Sequence, residues 1–328
     1  MKKYNWGIIG TGKMAKRFLN SIQGINQINI LGVASRDRNK SIEIKKKYSL
    51  TKHYDSYDDL FQDKGVDVIY IATPHNSHYK YTKTALLHKK AVLCEKPITV
   101  NSKELKDLII IAHNNECFLM EAIWTRFLPV INKVNQWIDE NKIGEVRQII
   151  ADFGVNFEYD PNHRAFNPQL AGGALLDLGI YPIFLASMVF KTEPINIISH
   201  VYKVETGVDG ITNLIFDYGD DKSALLTCSN LFQTPCEATI MGMNGMIKIP
   251  TRFVHAEKAV LMDNNYAILD EFNNLEYNKG WKYEAIHVNK CLEKGKKESE
   301  IMPLKESLKI MKILDRIRKQ IKLKYPFE

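Results

Sequence analysis

Gly10 and Gly12, one residue apart, follow an apolar run that ends at Ile9, and Ala15 stands three residues further on. Gly10-Thr11-Gly12-Lys13-Met14-Ala15 is a dinucleotide fingerprint in the strand–turn–helix setting that such a fingerprint requires. Gly10 permits the tight turn, Gly12 lets the backbone approach a pyrophosphate, and Ala15 allows close helix–strand packing. The helix start, with Thr11, Lys13 and Met14, offers free N–H groups and positive potential to the phosphates. The second apolar run ends in Ser35-Arg36, where an NAD-preferring fold carries Asp or Glu for the ribose 2′-hydroxyl. A small hydroxyl beside a guanidinium suits a 2′-phosphate, with Lys40 one helical turn further on, so NADP(H) is expected over NAD(H). The plainer alternative makes Arg36 a surface arginine and Asp37 a helix cap. Two further strand ends face the same crevice, Thr73-Pro74-His75-Asn76 and Cys94-Glu95-Lys96-Pro97. Thr73, Pro74, Asn76 and Glu95 are expected to line the cofactor. Lys96 either sits where a nicotinamide would lie or is a solvated loop residue, and the tetrapeptide alone does not decide. His75 and His78 have no carboxylate or cysteine at ligand spacing, so no metal is expected.

The elements that must position these residues alternate in the first third of the chain. Apolar, β-rich runs at Tyr4–Ile9, Ile28–Ala34, Val66–Ala72, Ala91–Cys94 and Phe118–Met120 are separated by helix-period segments. Those segments are Lys13–Ile22, Lys40–Tyr48, His78–His88 and Ser102–Asn114. Strands spaced this way imply right-handed crossovers and a doubly wound parallel sheet. After Glu121 come a helix pattern at Phe127–Glu140 and longer strands at Val146–Phe157, Ile195–Val204, Thr212–Phe216 and Ala224–Asn230, with short turns between the last of them. The expected fold is α/β, with a dinucleotide-binding Rossmann domain over 1–121 and an α+β domain with an open, mostly antiparallel sheet over 122–328. The second domain is expected to carry substrate binding and dimerisation.

A length of 328 residues fits two domains, and 45% hydrophobic with 25% charged residues excludes disordered and fibrous classes. No apolar leader follows the start. The stretch Gly173–Phe190 is interrupted by Asp177, Gly179, Pro182 and Ser187, which reads as buried core and not a membrane span. Five cysteines without a Cys-x-x-Cys pair suggest neither a disulfide framework nor a cysteine zinc site, as in a reducing cytoplasm. The net charge is +7, and the last thirty residues are the most basic. There Leu304, Leu308, Met311, Leu314, Ile317 and Ile321 form a helical apolar stripe, so the lysines read as a solvated face. A nucleic-acid or membrane partner is therefore not expected, while anionic small molecules are favoured.

The fingerprint, the Thr-Pro strand end and Glu-Lys-Pro together resemble the Gfo/Idh/MocA oxidoreductases. The likeness sharpens at Met120-Glu-Ala-Ile-Trp-Thr-Arg-Phe-Leu-Pro129, Ala171-Gly-Gly-Ala-Leu-Leu-Asp-Leu-Gly-Ile-Tyr-Pro182, Ser187-Met-Val-Phe190, Glu205-Thr-Gly-Val-Asp209 and Tyr283-Glu-Ala-Ile-His-Val288. These segments are similar to the dimeric dihydrodiol dehydrogenases and NADP-dependent D-xylose dehydrogenases. The resemblance implies that Lys96 lies beside the nicotinamide ribose and that Tyr181 of Gly-Ile-Tyr transfers the proton, where inositol dehydrogenase-like members carry histidine. It implies that Asp177 faces the substrate, that Trp124 and Phe153 line the pocket, and that Arg126 lies on the same segment. Beyond Gly245 the fit loosens, and pocket roles for Arg252, Phe253 and Tyr277 are guesses. Without the resemblance, Tyr181 would read as a core tyrosine and Asp177 as a helix cap. A tyrosine of ordinary pKa near 10 needs help to act as a base near neutrality. A nearby ammonium such as Lys96 supplies it. A helix beginning at Pro182, after a break at Gly179, would add its dipole at Tyr181.

The implied activity is hydride transfer between a nicotinamide and a CH–OH or carbonyl carbon of a sugar or cyclic diol. The second reading is a dinucleotide-binding regulator without turnover. Apolar residues on both faces of the C-terminal strands, among them Ile197, Ile198, Leu225 and Leu226, suggest a twofold homodimer through the sheet.

If Arg36 pairs with a 2′-phosphate, the charge-assisted bonds contribute about 1.5–3 kcal/mol that NADH lacks. NADPH is therefore expected to bind at least about tenfold tighter than NADH, and Arg36→Ala to remove most of that difference. Fluorescence titration of both cofactors measures it. Equal dissociation constants in the unmodified protein contradict the reading of Ser35-Arg36.

Overall fold

The computed structural model describes residues 2–274 and 280–328. Tyr277 therefore lies outside the described residues. The chain divides into two compact units, one built from 2–124 with 280–308 and the other from 125–274 with 309–328.

The first unit contains β1 (Tyr4–Ile9), α1 (Lys13–Ile22), β2 (Ile28–Ala34), α2 (Arg38–Tyr48), β3 (Lys52–Tyr54), α3 (Tyr57–Gln62), β4 (Val68–Ile71), α4 (His78–Leu87), β5 (Ala91–Glu95), α5 (Ser102–Asn114) and β6 (Leu119–Ala122). Its sheet runs β3-β2-β1-β4-β5-β6, and every pairing is parallel. This is the doubly wound order, whose reversal between β1 and β4 opens a ligand crevice at the carboxyl ends. β4 and β5 are buried at every position, as strands covered on both faces must be. The sequence pattern shows neither β3 nor α3, because three and six residues are too short to display a period. α3 is instead set by local chemistry, a reciprocal capping box between Ser56 and Asp59.

The second unit contains α6 (Pro129–Asp139), β7 (Val146–Gly154), α7 (Ile180–Phe190), β8 (Asn196–Lys203), β9 (Asp209–Gly219), β10 (Lys222–Ser229), β11 (Ala238–Gly242), β12 (Gly245–Ile249), β13 (Lys258–Asp263) and β14 (Ile268–Asn273). Its eight strands follow the order β14-β13-β12-β11-β7-β10-β9-β8. Among the described residues only β7 and β10 pair in parallel, so the sheet is mostly antiparallel, as expected. Leu214 and Phe216 of β9 and Ala224, Leu226 and Cys228 of β10 are buried on one face. α7 lies over that face, buried at every position from Ile180 to Val189.

One expectation changes here. The helix does not break at Gly179. Leu175–Gly179 forms a π turn that continues into α7, so Tyr181 is an interior residue and not a helix start. Pro182 has no N–H to give an i−4 carbonyl, and the wider π turn before it absorbs that loss. The dipole argument for Tyr181 therefore falls away. α8 (Trp281–Glu293) belongs to the first unit. Asn289 of α8 accepts from Trp6 Nε1 at 3.1 Å and donates to Gln27 O at 2.8 Å, and Lys282 N donates to Ser21 Oγ at 2.9 Å.

α9 (Leu304–Gln320) closes the chain. In its second half Gln320 Nε2 donates to Ile197 O at 2.9 Å and Arg316 Nη1 to Pro194 O at 2.9 Å, which ties the helix to the start of β8. The segment Pro168–Phe190 is long and apolar enough to cross a membrane by composition, yet 94% of its apolar window is buried within the fold.

Candidate active site

In the first unit, Gly10 adopts φ 104°, and a Cβ there would collide with the carbonyl oxygen of Ala72. Glycine is thus the residue that lets the β1 turn pass the end of β4. At Gly12 a Cβ would meet nothing within 4 Å, so the space above the turn is open. No side chain caps α1. Its first N–H groups are left for an anion, and these features fit a dinucleotide pyrophosphate. Ala15 is fully buried against the sheet, as the fingerprint requires.

At the end of β2, Thr11 Oγ1 and Ser35 Oγ lie 3.3 Å apart, and Ser35 Oγ accepts from Asp37 N at 3.2 Å. Asp37 is committed to α2, accepting from Asn39 N at 3.0 Å and Lys40 N at 3.4 Å. Arg36 is exposed beside Tyr57. Lys40 Nζ stands 3.6 Å from the Asp37 carboxylate, so part of its charge is already balanced.

The two remaining strand ends are joined. His78, the first residue of α4, is fully buried, with Nε2 2.8 Å from Thr73 O and Nδ1 2.8 Å from Pro97 O. Ser77 Oγ donates within the Thr73-Pro74 turn, and Asn76 follows on the same turn. Lys96 is buried and precedes a cis peptide bond to Pro97. Beside it Glu95 accepts a short hydrogen bond from the Tyr70 hydroxyl. Glu121 at the end of β6 accepts from Ile98 N at 2.9 Å. Burial pushes its carboxyl from the ordinary 4.5 up to about 7. Trp124 is buried with its ring stacked on Trp281, centroids 4.5 Å apart.

In the second unit, Asp177 lies on the π turn, and its Oδ2 accepts from Arg164 Nη1 at 2.8 Å. Tyr181, 5% exposed, stands edge-on to Phe153, centroids 5.6 Å apart and planes at 70°. Asp177 and Tyr181 are four residues apart, neighbours on one helical face. Arg126 lies over the Phe184 ring at 5.8 Å. The start of the turn is held by Asp209, which accepts from Leu175 N at 2.6 Å and Thr212 Oγ1 at 2.9 Å. Burial raises the Asp209 carboxyl to about 6. Gly173, at φ 120°, packs against Asp209 so closely that a Cβ would overlap the carboxylate. Phe253 is fully buried, and Thr251 precedes Arg252 through a cis peptide bond.

Sequence reasoning missed Arg164, the two carbonyl contacts of His78 and the anchoring role of Asp209. The first two join residues through folding alone and leave no local spacing. Asp209 lay inside a quoted motif whose role only the fold discloses.

Residues 4–123 match the family model described as "Oxidoreductase family, NAD-binding Rossmann fold". Residues 131–248 match the "GFO/IDH/MocA C-terminal domain". A Xenopus laevis protein named trans-1,2-dihydrobenzene-1,2-diol dehydrogenase is 35% identical over 329 residues, covering 98% of this chain and 99% of its own. The chain belongs to the Gfo/Idh/MocA oxidoreductase family. The Homo sapiens protein of the same name is also 35% identical, with 98% of each chain covered. The fold matches that of a 3-ketoreductase from Actinomadura kijaniata, solved with NADP and TDP-benzene, at a TM-score of 0.85 and 20% identity, covering 97% of this chain and 98% of that one. It also matches an aldose-aldose oxidoreductase from Caulobacter crescentus at a TM-score of 0.86 and 20% identity, covering 98% of each. The family models together span the fingerprint, Lys96, Asp177 and Tyr181 and end near Gly245, where the sequence resemblance loosens.

The Glu121 carboxyl yields a pH prediction. Its raised folded pKa favours the protonated form, so its contribution to stability is full below about 4.5 and lost as pH rises through about 7. Glu121→Gln, neutral throughout, lacks that loss. The stability of the variant minus that of the unmodified chain should climb between pH 4.5 and 7 and then level off. Denaturant unfolding across that range measures it, and a flat difference contradicts the assignment.

Proposed function

We propose that this chain is an NADP-dependent oxidoreductase acting on a CH–OH group of a sugar or cyclic diol, or on the matching carbonyl in reverse. The observation that carries the reading is the placement of Asp177 and Tyr181 on one helical face, with Phe153 at the tyrosine ring and Arg164 on the aspartate. The diol dehydrogenase names of the full-length relatives and the NADP in the 3-ketoreductase structure support the substrate class and the cofactor. Gly10, Gly12 and the uncapped start of α1 would hold the pyrophosphate, and Ser35 and Arg36 the 2′-phosphate. When bound, the nicotinamide supplies or accepts the hydride.

In carbonyl reduction, the carbonyl oxygen gains negative charge as its carbon gains the hydride, and the Tyr181 hydroxyl gives that oxygen a proton. The family resemblance assigns Lys96 the part of restoring that proton. In alcohol oxidation the same proton travels the other way. Asp177, its charge held by Arg164, accepts a hydrogen bond from a substrate hydroxyl and so orients the ring. Phe153 and Trp124 are the aromatic surfaces for a sugar face or flat diol, with Arg126 on the same segment as Trp124. Five buried free thiols fit a reducing cytoplasm.

The partner proposed is a second copy. The outward face of the second unit carries Ile198, Ile215, Leu225 and Ile150 in one cross-strand row over β8, β9, β10 and β7. Ile198, Ile215 and Ile150 are exposed, an apolar row of the kind that marks association surfaces. Ile197 and Leu226 instead point into the core.

Two outcomes are expected. On the best substrate from a panel of pentoses, hexoses and diols, Tyr181→Phe should lower kcat/KM by roughly 10²–10⁴-fold while the NADPH dissociation constant is unchanged. Full activity in the variant contradicts its role. Light scattering at micromolar concentration should give twice the chain mass, and Ile198→Asp with Ile215→Asp should shift it to one chain. A single-chain mass for the unmodified protein contradicts the dimer.

A further inference from the structure

α9 ends in a Schellman turn, and the chain after it turns back. Lys322 takes the left-handed conformation at φ 51°, with Lys322 N donating to Lys319 O at 3.3 Å and Leu323 N to Arg318 O at 2.9 Å. The residues that follow close around the buried Arg318. Arg318 gives two parallel hydrogen bonds to the Glu328 carboxylate, Nη1 to Oε1 at 3.2 Å and Nη2 to Oε2. Its guanidinium lies over the Tyr325 ring, 4.6 Å from the centroid, and Glu328 Oε2 also accepts from Tyr325 N at 3.0 Å. Tyr325, 1% exposed, is thus clamped through its ring face and its backbone.

The clamp aims a hydroxyl. Tyr325 Oη donates to Gly172 O at 2.8 Å, across 153 residues of chain. Burial, and then the Asp209 charge, raise the pKa of this hydroxyl well above the ordinary tyrosine value, so it stays a donor. Gly172 and Gly173 form the joint between the two halves of the Asp177–Arg164 pair. On one side, Gly172 N donates to Asn167 O at 3.0 Å and Gly173 N to Ala165 O at 2.9 Å, which ties the joint to the loop that carries Arg164. A Cβ at Gly172 would stand 2.8 Å from Arg164 O, so the two backbones touch there. On the other side, Asp209 holds Leu175 N, where the π turn with Asp177 begins. The bond between Arg164 Nη1 and Asp177 Oδ2 therefore depends for its register on the backbone at 172–173.

We propose that Tyr325 is a positioning residue for the oxidoreductase reaction, its hydroxyl fixing the Gly172–Gly173 joint and so the angle at which Asp177 meets the substrate. The proposal rests on the role given to Asp177 above. Asp177 lies on the turn that leaves the joint, whereas Tyr181 lies a helical turn further along, within the buried α7. Loosening the joint thus disturbs Asp177 more than Tyr181. A hydrogen bond to substrate made alike in the ground and transition states appears in KM and not in kcat.

The test is Tyr325→Phe, which removes one hydroxyl and keeps the ring beneath Arg318. Hydrogen–deuterium exchange of the full chain should quicken roughly tenfold at the amides of 173–177, the order expected when a buried acceptor loses its donor. β9 and β10 should stay as protected as before, whereas a purely global loss of stability would quicken all of these amides together. On the best substrate, KM should rise roughly fivefold or more, with kcat within about twofold and the NADPH dissociation constant unchanged. Glu328→Gln, which weakens the clamp from its other end, should give the same pattern in smaller measure, and it decides the matter if the phenylalanine variant does not fold. Exchange at 173–177 that is unchanged, or that quickens only together with β9 and β10, overturns the proposal, and so does an unchanged KM. Absence of turnover in the unmodified chain contradicts the oxidoreductase reading alone, and the exchange result, which needs no substrate, still decides whether Tyr325 fixes the joint.

Discussion

Two backbone carbonyls from different strand ends converge on one buried imidazole, and the cofactor side of this molecule depends on that convergence. His78 reaches Thr73 O at the end of β4 and Pro97 O after β5, each at 2.8 Å. The turn with Pro74 and Asn76 and the loop with Glu95 and Lys96 are thereby fixed to each other and to the start of α4. A neutral imidazole has a single N–H, so serving both carbonyls fully would require the charged ring. Burial opposes that charge, and so does the Lys96 ammonium, against the pull of the two carbonyls. The ring thus gives one strong bond and one close contact, and a second cation is kept away from Lys96.

The second unit solves the same problem differently. Asp177 and Tyr181 ride on an apolar helical segment with almost no exposed surface, and that segment needs an anchored beginning. Asp209 provides it by accepting from Leu175 N, while Gly173 clears the space for the carboxylate. The π turn that follows accommodates Pro182 and sets Asp177 and Tyr181 on neighbouring positions. Arg164, reaching in from a loop, balances the one charge on that face.

Legibility in the sequence followed length and locality. β1, α1, β2 and α5 have the bounds that their apolar periods indicate, because each is long enough to show one and is closed by a turn signal. β3 and α3 are too short. The strands from Ala238 to Asn273 carry mixed surfaces that dilute the alternation, and β14 has no buried residue. Gly179 and Pro182 are true breaker residues, yet packing on all sides of α7 outweighs their local preference. The fingerprint was readable because it is a local device. A role for Tyr181, Asp177 and Lys96 was suggested only by the family resemblance. The contacts that hold them, from Arg164, Asp209 and His78, join positions with no common spacing.

The central claim is that this chain moves a hydride, with Lys96 and Tyr181 handling the proton. Its most direct measurement follows deuterium carried at C4 of the reduced cofactor during incubation with aldoses, ketoses and diol-derived ketones. The account predicts label on the new carbinol carbon of at least one of these, with stereospecific transfer from one face of the nicotinamide. Tight NADPH binding with no label reaching any acceptor would contradict it and leave a dinucleotide-binding protein without chemistry.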